Sequence, residues 1–232
     1  MLLLKNGRVL LGAVMLAGLA ACATDADQYY SLQPTASNAA GPTSNRQGGF
    51  DYVVSVRPVQ VPAQLDRSQI VLKGSSGDIS VLNESLWASP LPDELRLAVS
   101  SELTQRLGVP DLPLPAVPDG LRVWLVNLDV QRFDSIYNTA SVIDVTWRLQ
   151  GQMPTTDKAP ASVCRATISK SVGTGLAPLM NAHRDSLQVV GGLIAQQIAA
   201  TQSQANISSI APPAQVDAPG LVFRGCAQTK AS

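Results

Sequence analysis

The chain has 232 residues, with 17 basic and 17 acidic side chains, one histidine and three cysteines. No basic block of the kind that selects nucleic acid occurs, and aromatic residues at 4% offer little for base stacking. The length and the 45% hydrophobic content suit one domain with a real core, or a domain plus a tail.

At the N-terminus, Lys5 and Arg8 lead into the apolar run Val9–Ala23 of 15 residues. A spanning helix needs roughly 20. A short basic segment, an apolar stretch of this size and small residues before a cut have the layout of a secretory signal. Leu19-Ala20-Ala21-Cys22 has the form of a lipobox, the cleavage and lipidation signal of bacterial lipoproteins. The alternatives are an ordinary signal peptide with an incidental cysteine, or a short anchor helix. On the lipobox reading residues 1–21 are removed, and Cys22 becomes the first residue and carries acyl chains. Two chains give stable anchoring where one is marginal. Ala23 stands where an aspartate would resemble the inner-membrane retention signal, so the expected destination is the periplasmic face of the outer membrane. Loss of Lys5 and Arg8 leaves 15 basic and 17 acidic residues, a net charge of −2.

Residues 22–28 read as a short lipidated tether; the six polar-leaning residues Ala23–Gln28 after the cysteine reach at most about 20 Å, which keeps the globular part close to the membrane. The domain is expected over 29–205 and a tail over 206–232. Tyr29-Tyr30-Ser31-Leu32 reads as a short strand, and Gln33–Gly49 as a polar loop. Tyr52–Val61 is strand-like, with Pro58 and Pro62 placing its end at an edge or a bend. Ile70–Lys73 and Ile79–Leu82 flank Gly74-Ser75-Ser76-Gly77-Asp78, a hairpin pattern. Ser89–Leu107 predicts a helix. Ser89 can cap it, Pro90 and Pro92 fit its start, Leu95, Ala98, Val99, Leu103 and Leu107 form a stripe, and Gly108 ends it.

Leu121–Phe133 is the clearest strand. Trp124, Val126, Leu128 and Val130 alternate with Asn127, Asp129 and Gln131. Ala140–Gly151 and Ser162–Val172 repeat the pattern, which predicts an antiparallel meander with one buried and one wet face. Asn181–Ala205 predicts a second helix, capped by Asn181, with Leu187, Val190, Ile194 and Ile198 inward and Gly191-Gly192 kept for close packing on the sheet. The tail reads as irregular except near Leu221–Phe223. The fold class is α+β, a largely antiparallel sheet with both long helices on one face.

Once Cys22 is used, Cys164 and Cys226 remain. In an oxidising periplasm they form one disulfide, or else stay as two buried thiols. The catalytic inventory is poor. His183 reads as a solvent-facing polar residue near a helix start. No nucleophile elbow, metal-binding histidine pair or phosphate loop is present. Gly173-Thr174-Gly175 reads as a strand-to-helix turn, Asp25 and Asp27 as solubilising, and the Asn206-Ile207-Ser208 sequon carries no weight in a bacterial lipoprotein. No enzyme, cofactor or metal is expected.

Three segments act as a set: Tyr29-Tyr30-Ser31-Leu32, then Val56-Arg57-Pro58-Val59-Gln60-Val61-Pro62 running into Leu65-Asp66-Arg67-Ser68-Gln69-Ile70-Val71, then Leu86-Trp87-Ala88-Ser89-Pro90-Leu91. Together they resemble the PqiC/YmbA-type auxiliary lipoproteins of ABC transport systems. Leu86 stands where that family usually has Arg, and Ser89 where an acidic residue is common. The resemblance implies a docking role in lipid transport across the envelope, beside an MCE-domain protein and its ABC permease, with self-association that is ring-like in some members. Asp66 and Arg67 then have two readings, a structural ion pair or turn and a partner-contact patch. Trp87 likewise reads as core packing or as a contact. The polar row Asn127, Asp129 and Gln131 is a candidate interface. The rival class is a structural envelope lipoprotein that supports assembly or contacts peptidoglycan, without a transport role.

Overall fold

The computed structural model describes residues 26–34, 49–74, 76–152, 160–204, 207–214 and 218–229. Cys22, Asp25 and Asn206 lie outside them, as does the expected signal segment.

The eight strands among the described residues form one mixed sheet. They are β1 (Gln28–Tyr30), β2 (Tyr52–Val56), β3 (Gln69–Lys73), β4 (Ile79–Trp87), β5 (Arg122–Ile136), β6 (Ala140–Gln152), β7 (Ala161–Ser171) and β8 (Leu221–Thr229). Their order is β1-β4-β3-β5-β6-β7-β8, with β2 beside β5. β5, β6 and β7 form the expected antiparallel meander, because period-2 alternation over 11 to 15 residues commits one face to the core. β8 extends it by a fourth strand, antiparallel to β7. The tail thus runs as a nine-residue strand where only Leu221–Phe223 carried a strand signal. Arg224, Gly225 and Gln228 break the apolar pattern, and pairing with β7 overrides it.

Three contacts in the sheet are parallel. β1 lies along the end of β4, β2 along the start of β5, and Lys73 of β3 meets Ile136 at the end of β5. After Val56 the chain follows β5 past Pro58, and Gln60 still bonds with Leu128 and Val130. It leaves the sheet at Pro62. The outer side of β2 is covered by the 110–112 segment, which bonds both backbone groups of Val54, so this edge is closed.

Helices α1 (Leu91–Leu107) and α2 (Leu176–Gln202) pack on each other and on one face of the sheet. Between them and the sheet lies the core, centred on Trp124, Trp147, Val99, Leu103, Val190 and Ile194. Both predicted stripes face inward. The caps differ from expectation. Pro90 is the N-cap of α1 and makes no side-chain cap bond; Ser89 donates instead to Glu94. α2 starts five residues earlier than expected, after Gly175, and Asn181 accepts a bond from Arg184 rather than capping. Gly108, at φ 66°, ends α1 as predicted. Gly191 serves the helix pair and not the sheet: a Cβ there would lie 2.6 Å from Cγ of Glu102 on α1.

Candidate functional site

The motif segments, far apart in sequence, meet at one corner of the sheet. β1 runs beside β4 with Tyr30 opposite Trp87, and Ala88 donates its N–H to Tyr30 O at 2.8 Å. Trp87 donates its N–H to Ser68 O at 2.8 Å. At the centre lies Glu94, 1% exposed. One oxygen, Oε2, accepts bonds from Ser31 Oγ at 2.7 Å and from the Leu32 backbone N–H at 2.8 Å; the other accepts from Ser89 Oγ at 2.7 Å. A buried carboxylate persists when donors fill its lone pairs, and here three do. From α2, Arg184 Nε donates to Ser31 O at 3.0 Å. The strand nearest the expected tether is therefore stitched to both helices. In the sequence Asp93 and Glu94 look alike, two acids at a helix start. Partners 62 and 63 residues away leave no local pattern.

Trp87, 4% exposed, lies in the core, edge-on to Phe133 at 6.1 Å. That places it away from any partner-accessible surface. Asp66 and Arg67 are exposed and follow a 3-10 turn over Ala63–Leu65. No ion pair joins them, and neither side chain makes a hydrogen bond among the described residues. The turn is held by backbone bonds alone, such as Leu65 N–H to Pro62 O at 2.8 Å.

Cys164 and Cys226 face each other across β7 and β8 and are joined by a disulfide of 2.01 Å. Beside it the buried amide of Gln197 accepts from Trp147 Nε1 at 2.7 Å and donates to Ala211 O at 3.2 Å. It links α2, β6 and the segment after α2. Glutamine on an apolar stripe gives no sequence signal for such a role.

His183 departs from the expected exposed position. It is fully buried, stacked on Phe133 at 4.0 Å between centroids, and shares a 2.9 Å hydrogen bond with Ser135 Oγ through Nε2. α2 begins earlier than expected, which brings this residue over β5. Burial pushes its pKa down to about 3, and Asp134 nearby opposes the shift. The pair has the spacing of a serine and its base, but both residues are sealed, and among the described residues Nδ1 has no partner to orient the ring. It is a core contact. Among the described residues no group of acids, histidines and cysteines could hold a metal ion, and no helix is long and apolar enough to cross a membrane.

Among the described residues, no helix covers the sheet face away from α1 and α2, which carries exposed polar side chains. Asn127 is half-buried there, and Asp129 and Gln131 are exposed. Arg132, Arg148, Arg165 and Arg224, from four successive strands, are exposed. Asp144 receives a two-pronged contact from Arg165, at 2.9 and 2.7 Å. That pair, with Arg224 and Arg132 adding weaker attraction, holds the Asp144 carboxyl below its usual range, against the desolvation of the site.

Residues 30–199 match the model of a family described as the ABC-type transport auxiliary lipoprotein component. The chain belongs to that family. The match takes in the first motif segment from Tyr30, the other two whole, and the helix pair as far as residue 199. Two relatives named intermembrane transport lipoprotein PqiC, from Escherichia coli strain K12 and Shigella flexneri, are each 28% identical over 152 residues, 65% of this chain and 78% of theirs. A solved crystal structure of an uncharacterized protein, 21% identical, superposes with a TM-score of 0.54 over 75% of this chain and 99% of its own. At that identity it supports the fold alone. The resemblance read from the motifs is thus shown at the level of family. The family description and both PqiC names are those of transport lipoproteins.

Proposed function

We propose that this protein is anchored by an acylated Cys22 to the periplasmic face of the outer membrane, where it docks an MCE-type ABC system that moves phospholipid and maintains the envelope. Residues 1–21 are the signal removed on export, and residues 22–28 the tether. The observation that carries this reading is the Glu94 corner inside a chain of this family. The first strand after the tether is fastened to the core through a buried carboxylate, Arg184 and the β4 backbone. Tension between membrane and partner then loads the folded domain and does not peel its N-terminus away.

The partner is an MCE-domain protein with its permease, and the protein works as a homo-oligomer, ring-like as the family resemblance implies for some members. The arginine-studded sheet face is the surface offered to the partner. The test is mild crosslinking in the native envelope, purification of the lipidated protein, and mass spectrometry of what accompanies it. An MCE protein and permease are the expected companions. Recovery of peptidoglycan or outer-membrane assembly factors alone sinks the transport role. Unmodified Cys22 in the same material sinks the anchor.

A further inference from the structure

A crevice at the edge of that sheet face, which shares only Arg132 with the four arginines offered to the partner, carries chemistry for a second ligand. It measures about 260 Å³ and lies where the turn after Pro62 and the β3–β4 hairpin stand over the C-terminal half of β5. One wall is apolar, formed by Leu65, Val71 and Ile79; the other presents Lys73 and Arg132. Both cations converge on a single oxygen, Asp134 Oδ2, with Lys73 Nζ at 3.0 Å and Arg132 approaching through Nε and Nη2. Two cations on one carboxylate leave a positive charge unspent. An ammonium has three donors and a guanidinium five, so most of the donor capacity is free. The two side chains are 34% and 45% exposed, enough to meet a ligand at the mouth. Beside them an apolar strip leads out along β4. Ile79 is 57% exposed, and Val81, the register partner of Val71, is 37% exposed.

A free inorganic anion would use the cations and leave the strip bare. A neutral apolar body would leave the cations unspent. An amphiphile with one anionic oxygen-rich headgroup uses both. We propose that this crevice binds the phosphate of a phospholipid. Lys73 and Arg132 take the phosphate oxygens, while Leu65, Val71 and Ile79 lie against the glycerol and first acyl carbons. The docking role does not require this contact, since a station can hold its partner without touching the cargo. The crosslinking result and the binding result below therefore fail independently.

The test is native mass spectrometry of the full lipidated chain in detergent, titrated with dihexanoylphosphatidylglycerol, inorganic phosphate and dihexanoylglycerol. One adduct per chain is expected with the phospholipid, and at least tenfold weaker binding of the other two. Lys73→Gln and Arg132→Gln should each weaken the phospholipid by about tenfold or more, the loss expected for a charge-assisted hydrogen bond. Ile79→Ser, at an exposed position that leaves the fold intact, should weaken it severalfold. Arg148→Gln, elsewhere on the same face, should leave it unchanged. The proposal is overturned by the absence of an adduct, or by phosphate alone binding as tightly as the phospholipid, which would mark a free-anion site. It also falls if Arg148→Gln costs as much as the two crevice variants, or if binding is unchanged in Ile79→Ser.

Discussion

Replacing Glu94 by alanine tests the corner directly. The carboxylate accepts three hydrogen bonds of 2.7 to 2.8 Å and is 1% exposed. Bonds to a charged group are each worth about 1.5–3 kcal/mol net, and a stranded buried donor costs about 1–3 kcal/mol. The two serine hydroxyls can turn toward other acceptors, whereas the Leu32 N–H cannot. A net cost of about 3–5 kcal/mol follows, since the variant also leaves a void in a packed core. With a urea slope of about 2 kcal/mol/M for a domain of this size, the midpoint should fall by about 2 M. Urea unfolding followed by tryptophan fluorescence reads the global term. Hydrogen exchange of the Leu32 amide reads the local one, and its protection should collapse even where the fold survives. Glu94→Gln keeps one acceptor oxygen and should cost about half as much. A Glu94→Ala midpoint within 0.5 M of wild type (about 1 kcal/mol), with Leu32 protection unchanged, would refute the idea that this carboxylate fastens the strand.

His183 is the sole histidine, so its linkage to pH can be isolated. Its folded pKa of about 3 lies below the ordinary 6.5, so the unfolded chain binds the proton first as pH falls. Its contribution is fully present above pH 6.5 and is lost toward pH 3, at about 1.4 kcal/mol per unit. Chemical denaturation between pH 6.5 and 4.5 should show that slope; His183→Gln should remove it, and an unchanged slope refutes the assignment. Gly191→Ala places a methyl against Glu102 and forces α1 from α2, at about 1–3 kcal/mol. Thermal melting should show it, and a neutral result would mean the helices part freely. For Cys164 and Cys226, the non-reduced protein should weigh two daltons less than the reduced one. Reduction should cost about 4 kcal/mol for a 62-residue separation, and equal masses would exclude the bond. Trp87→Ala should destabilise by about 3–5 kcal/mol as a core deletion; a loss below 1 kcal/mol would place the ring outside the core.

Periodicity sufficed wherever a segment buries one face over many residues. β5, β6, β7 and the apolar stripes of both helices are legible in the chain, because alternation at two or at 3.6 residues is itself the record of a buried side. The α+β class and the family motifs followed from the same local information. What the tertiary structure decided is pairing at a distance. The parallel contacts of β1 and β2, and the recruitment of Leu221–Thr229 as β8, depend on which backbone edge lies open nearby. The same holds for side chains whose partners lie elsewhere in the chain. Glu94 is a buried clasp where Asp93 beside it is a surface acid, and His183 is a core ring beneath Phe133. Gly191 makes room for a glutamate stem on the other helix. A one-dimensional pattern encodes how much of a residue must be hidden. Only the assembled neighbours set what it is hidden against, and with that its charge state, its hydrogen bonds and its task.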